Sequence, residues 1–206
     1  MVKVKICGIT NLEDALASAL FGADAVGFVF YQGSCRYINP LKAAKIARIL
    51  PAKVKKVGVF FNPTAAYLKK VISICKLDFL QLHGDETIEF CRAFERKKLI
   101  KSFRIDKTLD YGKINKYPAS AFLFDSFNKN LPGGTGKKFN WKILLTFDRK
   151  NKPIFLSGGL TPKCVAKAIK IVKPNWVDAS SCLESSPGKK DHHKIEQFIK
   201  AAKTAG

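Results

Sequence analysis

Short apolar runs rich in β-branched and aromatic residues alternate along this chain with longer segments whose apolar residues recur three and four positions apart. The runs are VKVKIC (2–7), DAVGFVF (24–30), KKVGVFF (55–61), DFLQLH (78–83), LIKSFR (99–104), AFLFDS (121–126), PIFLSG (153–158) and WVDASS (176–181). Each reads as a strand. The segments between them include NLEDALASALF, PLKAAKIARIL, PTAAYLKKVISIC, ETIEFCRAFERK, TPKCVAKAIKIV and DHHKIEQFIKAA, and most open on Asn, Pro, Thr or Asp, residues that start helices. Residues 109–116 and 140–147 carry weaker helical patterns. Eight such units in 206 residues predict an α/β chain folded as one (βα)8 TIM barrel over residues 1–206, eight parallel strands ringed by helices. A doubly wound sheet rarely uses so many units so evenly.

In such a barrel the chemistry gathers at the carboxyl ends of the strands. Taken in order, those ends carry Cys7, the loop 31–37 with Arg36, Asn62, His83, Arg104, Asp125, Ser157-Gly158-Gly159, and Asp178 to Ser181. The period of two along a strand puts Lys5 on the face of Cys7 and Gln81 on the face of His83. Two small-residue turns, SGGLTP after the seventh strand and DASSCLESSPG after the eighth, bring backbone N–H groups together where barrels hold phosphate. The glycine-rich PGGTGKK (132–138) does not fit a nucleotide-binding G-x-x-x-x-G-K-[ST] loop and reads as a lid beyond Asp125.

Composition narrows the class without naming it. No apolar run approaches the roughly 18 residues of a membrane span, and the first residues form neither an apolar signal region nor a cleavage site, so a cytoplasmic protein is expected. The six cysteines include no C-x-x-C pair, which leaves free thiols and no signal for zinc or a redox motif. The net charge of +21 comes from lysines spread over the whole chain. That spread reads as a solvated surface that steers an anionic substrate, while a nucleic-acid-binding protein stays open as an alternative, with steep salt dependence as its signature.

The stretches KICGIT, GFVFY with SCRYI, VGVF, LQLHGDE, FDS followed by GGTGKKFNW, LSGGLTP and VDASSCLESSPGKKD resemble, in that order, the phosphoribosylanthranilate isomerases of tryptophan biosynthesis. The resemblance runs from Lys5 to Asp191. It implies an Amadori rearrangement of a phosphosugar, with no cofactor, no metal, no nucleic acid and no membrane, by a monomer or homodimer. It assigns general base to Cys7, general acid to Asp125, the anthranilate carboxylate to Arg36, and phosphate to Gly158, Gly159, Ser180 and Ser181, with His83 and Asp178 lining the site. The residue types suit the steps: an acid opens the furanose ring, and a base then removes the acidified C2′ proton. Burial is expected to raise Asp125, and Lys5 to lower Cys7. Cys35 and Cys182 stand where the family usually has proline and glycine, and a raised KM without lost turnover is expected from them. Another phosphosugar barrel remains the enzymatic alternative, although such relatives end the first strand on aspartate rather than cysteine.

Overall fold

In the computed structural model, which describes residues 1–94, 99–105, 109–126 and 140–206, eight parallel strands close into a barrel in chain order. They are β1 (Lys3–Cys7), β2 (Ala25–Val29), β3 (Lys55–Phe60), β4 (Phe79–Leu82), β5 (Leu99–Ile105), β6 (Ala121–Ser126), β7 (Ile154–Leu156) and β8 (Trp176–Ala179). Closure is made by β1 against β8, in a register that sets Lys5 beside Asp178. The (βα)8 reading and all eight strands hold, with ends shifted by a residue or two. The proposed lid at 132–138 lies outside the described residues.

Alternation sorts each strand into an outer and an inner face. Val4, Ile6, Phe28, Leu82, Phe122, Phe124 and Val177 pack outward with helix residues such as Ala15, Ile46, Leu68, Val165 and Phe198 in one continuous core. Each such large side chain contributes about 1.5–3 kcal/mol by leaving water. A second cluster, Ala25, Val57, Ile100, Ala121, Leu123, Phe155 and Trp176, fills the barrel's amino-terminal half, with Phe155 stacked on Trp176 at 4.8 Å. The inner face turns polar at Lys5, Gln81 and Asp178, all buried, so the apolar plug is the floor on which the polar groups stand.

The helices are α1 (Leu12–Leu20), α2 (Pro40–Ile49), α3 (Ala65–Cys75), α4 (Ile88–Arg92), α5 (Tyr111–Asn115), α6 (Val165–Val172) and α7 (His192–Ala205). Side chains of Asn11, Asn39, Thr64, Thr87, Asp110 and Asp191 cap the first five and the last by accepting backbone N–H bonds. Residues 140–147 form a 3-10 turn, Trp141–Thr146, instead of an α-helix. Its Trp, Ile and Thr are weak helix formers, and Tyr111 draws it inward by donating its hydroxyl to the Ile143 carbonyl. After β8 the chain makes a 3-10 turn, Ser181–Leu183, then a small antiparallel hairpin of β9 (Glu184–Ser186) and β10 (Lys189–Lys190). The sequence pattern carried no sign of this hairpin.

Candidate active site

A cavity of about 350 Å³ opens at the carboxyl ends of the strands. Cys7, Arg36, His83, Asp125, Gly158, Gly159, Asp178, Ser180 and Ser181 all line it, so every site residue expected from the sequence meets at one mouth. Asn62 and Arg104 do not: Arg104 pairs with Asp85 at 2.6 Å, and Asn62 accepts from the Asp85 backbone, so both hold the loop after β4. Val29, Tyr31, Val59, Phe61 and Leu160 give the cavity an apolar wall on which an aromatic ring can lie. Tyr31 and Phe61 are themselves in contact, with centroids 5.0 Å apart.

Cys7 ends β1 with its thiol buried. Room for it comes from Gly27 on the neighbouring strand, where a Cβ would lie 2.7 Å from the Cys7 Sγ and 3.2 Å from the Lys5 Cε. Below it Lys5 is wholly buried and donates to Asp178 Oδ1 at 2.9 Å. Burial alone would lower the Lys5 ammonium, yet Asp178 and Cys7 together outweigh it and hold the group above its ordinary value. For Cys7 the balance falls the other way. Burial pushes the thiol up and prevails over the opposing field of Lys5, and Asp178 adds to the rise. The lowered Cys7 expected from the sequence is therefore corrected: Lys5 acts in the predicted direction, but the cost of burying a thiolate is larger.

Asp125 is the next-to-last residue of β6, where its Oδ1 accepts the Ser126 backbone N–H at 2.8 Å and its Oδ2 faces His83 Nε2 at 3.3 Å. That approach is an ion-pair distance without hydrogen-bond geometry, for Nε2 has no hydrogen-bond partner. Gln81 Nε2 lies 2.9 Å from His83 Nδ1 and holds the ring with its Nε2 toward Asp125. Gly158 makes the close approach of the seventh loop possible. It has a φ of +90°, and a Cβ there would fall 2.6 Å from the Ser126 nitrogen and 3.0 Å from Asp125 Oδ1. Helix α6 begins only at Val165, so the Gly158-Gly159 turn offers backbone N–H groups without a helix end directly behind it.

The eighth loop supplies Ser180, whose hydroxyl donates to the Cys7 carbonyl at 3.0 Å, and Ser181, which opens the 3-10 turn. Cys182 lies inside that turn and is not among the residues with positive φ, so the cysteine at this position strains nothing. Arg36 is already engaged: Glu184 takes its Nε at 2.7 Å and its Nη2 at 2.8 Å. Glu184 and its second partner Lys190 were missed from sequence, because the hairpin that brings them in was read as part of a phosphate turn.

Residues 4–201 match the family model of N-(5′-phosphoribosyl)anthranilate (PRA) isomerase. The chain belongs to the PRA isomerase family. A PRA isomerase of Trichlorobacter lovleyi is 46% identical over 205 residues, covering 100% of both chains. The crystal structure of the isomerase of Thermotoga maritima superposes with a TM-score of 0.92 at 46% identity, over 99% of this chain and 100% of that one. Another PRA isomerase structure, in complex with reduced 1-(o-carboxyphenylamino)-1-deoxyribulose 5-phosphate, superposes with a TM-score of 0.89 at 45% identity, over 99% of this chain and 100% of that one. Among the described residues no group of three or more His, Cys, Asp or Glu is arranged to hold a metal ion, and no helix is long and apolar enough to cross a membrane.

Proposed function

We propose that Cys7 is the general base and Asp125 the general acid with which this PRA isomerase converts N-(5′-phosphoribosyl)anthranilate to 1-(2-carboxyphenylamino)-1-deoxyribulose 5-phosphate. The observation that carries the assignment is a thiol from β1 and a carboxyl from β6 lining one cavity between an apolar wall and two small-residue turns. Asp125 gives its proton to the furanose ring oxygen as the C1′–O bond breaks and the aniline nitrogen's electron pair forms the iminium. Cys7 as thiolate then takes the C2′ proton, and the electrons of that C–H bond form the C1′–C2′ double bond of an enol as the iminium π pair returns to the aniline nitrogen. Ketonisation moves the enol hydroxyl proton onto solvent and returns a proton to C1′. Every catalytic proton on the chain's side is given or taken by a side chain.

The reactive form needs its proton on Asp125 and off Cys7. The thiol that burial favours at rest is the form that cannot act as the base. Lys5 shifts the balance toward thiolate, and Asp178 keeps Lys5 aimed and charged. His83 faces the Asp125 oxygen that delivers the proton and fixes its direction. Arg36 binds the anthranilate carboxylate through paired donors, Tyr31 and Phe61 flank the ring, and the turns with Gly158, Gly159, Ser180 and Ser181 hold the phosphate. All these groups come from one chain, so a monomer or homodimer in the cytoplasm suffices. Complementation of an isomerase-deficient tryptophan auxotroph tests the reading: the wild-type gene restores growth without tryptophan and the Cys7→Ala gene does not. Growth with Cys7→Ala would refute the assignment of the base.

A further inference from the structure

The hairpin of β9 and β10 carries an anion and a cation into the site. Glu184 and Lys190 face each other across its two strands, with Lys190 Nζ donating to Glu184 Oε1 at 2.9 Å. The same Oε1 accepts from Arg36 Nε, and Oε2 accepts from Arg36 Nη2, so one carboxylate is gripped by two cations. Lys190 Nζ also donates to the Ser180 carbonyl at 3.2 Å, and Ser180 in turn holds the Cys7 carbonyl. The side chains of Lys190 and Glu184 are 0% and 5% exposed, and that of Arg36 is 15% exposed at the cavity wall.

A guanidinium offers a carboxylate two edges, Nε with Nη2 and Nη1 with Nη2. Glu184 occupies the first. It cannot leave without stranding Lys190, a fully buried cation, which is a costly state. Burial outweighs Glu184 and pulls the Lys190 ammonium below its ordinary value; while it keeps its proton, two cations and one anion leave a single net positive charge, the complement of one ligand carboxylate. Burial pushes Glu184 up, but Arg36 and Lys190 outweigh it and hold the carboxyl below its ordinary value, so the anion persists through the neutral range.

We propose that Glu184, counterbalanced by Lys190, is a positioning residue that locks Arg36 side-on and leaves its Nη1–Nη2 edge to receive the carboxylate of the anthranilate ring, making the site selective for an ortho-carboxylated aryl amine. The proposal rests on the role given above to Arg36. The opposite arrangement, in which the substrate carboxylate displaces Glu184 from the fork, predicts the reverse sign for the same mutation.

The test is titration calorimetry of Glu184→Gln with two probes, the reduced product analogue and its counterpart lacking the ring carboxylate, together with kcat and KM. Loss of the lock is expected to weaken the carboxylated probe by about tenfold or more, as for one misdirected charged bidentate contact, and to raise KM alike. The counterpart's affinity is expected to stay within about threefold and kcat to fall less than KM rises, a split that a merely structural role would not produce. Glu184→Asp, which keeps the charge, should recover part of the loss. If Glu184→Gln fails to fold, Glu184→Gln/Lys190→Met removes the stranded cation and carries the same measurement. Arg36→Lys separates the two claims. If it leaves the carboxylated probe's affinity unchanged, the role of Arg36 itself fails. If Arg36→Lys weakens that probe while Glu184→Gln leaves it unchanged or tightens it, the lock is overturned and Arg36 keeps its role.

Discussion

Replacing Lys5 with methionine removes the buried cation that most strongly opposes the burial of the Cys7 thiolate, Lys190 adding less. Lys5 lies against both Asp178 and Cys7, and its field is the largest influence holding the thiol down. An adjacent opposite charge favours the ionised form of a thiol. Cys7 already stands above its ordinary value, so the variant moves it further up. The thiolate fraction at neutral pH then falls, and kcat/KM should fall with it by at least about tenfold, part of what one general base contributes. The sign follows from the base: a raised thiol needs higher pH to ionise, so the rising limb of the pH–rate profile moves to higher pH and activity partly recovers there. Methionine also strands the Asp178 carboxylate, and breaking a buried pair costs about 3–5 kcal/mol. Lys5→Met/Asp178→Asn removes that complication, but because Asp178 itself raises Cys7 the double variant should shift less than Lys5→Met. The assay is kcat/KM against pH for both variants, with the alkylation rate of Cys7 by iodoacetamide as a direct reading of the thiolate. An unshifted rising limb and an unchanged alkylation profile in folded Lys5→Met would refute the reasoning.

Gly158→Ala places a Cβ 2.6 Å from the Ser126 nitrogen and 3.0 Å from Asp125 Oδ1 at a φ of +90°, so the loop must move away from the acid. A drop in kcat of at least about tenfold is expected in steady-state assays, since an acid displaced by less than an ångström transfers protons poorly. Cys182→Gly should not improve KM, because the position needs no positive φ; it should cost about 0.5–1 kcal/mol in thermal or urea unfolding through added chain freedom.

The barrel was legible because its signals are local. Strand runs such as VGVF and capped segments such as NLEDALASALF announce themselves within a few residues, and eight repeats leave few folds to choose from. The site's membership was legible for a related reason: residues at or next to the carboxyl end of a barrel strand lie at the mouth, so Cys7, His83, Asp125 and Asp178 could be placed from the strand ends. What escaped depends on contacts across the chain. Glu184 lies 148 positions from Arg36, on strands too short to show a period. The direction of the Cys7 shift is a contest between burial and a paired lysine, and sequence supplies the lysine but not the depth.

The central claim is that a thiol and a carboxyl at one barrel mouth carry the two proton transfers. It is tested most directly by kcat for conversion of N-(5′-phosphoribosyl)anthranilate by Cys7→Ala and Asp125→Asn, measured alongside calorimetric binding of the reduced product analogue. The account predicts that kcat falls by at least about 10²- to 10⁴-fold in each variant, the range for loss of one general acid or base, while analogue binding stays within about tenfold of wild type. Turnover within tenfold of wild type in either folded variant would contradict it.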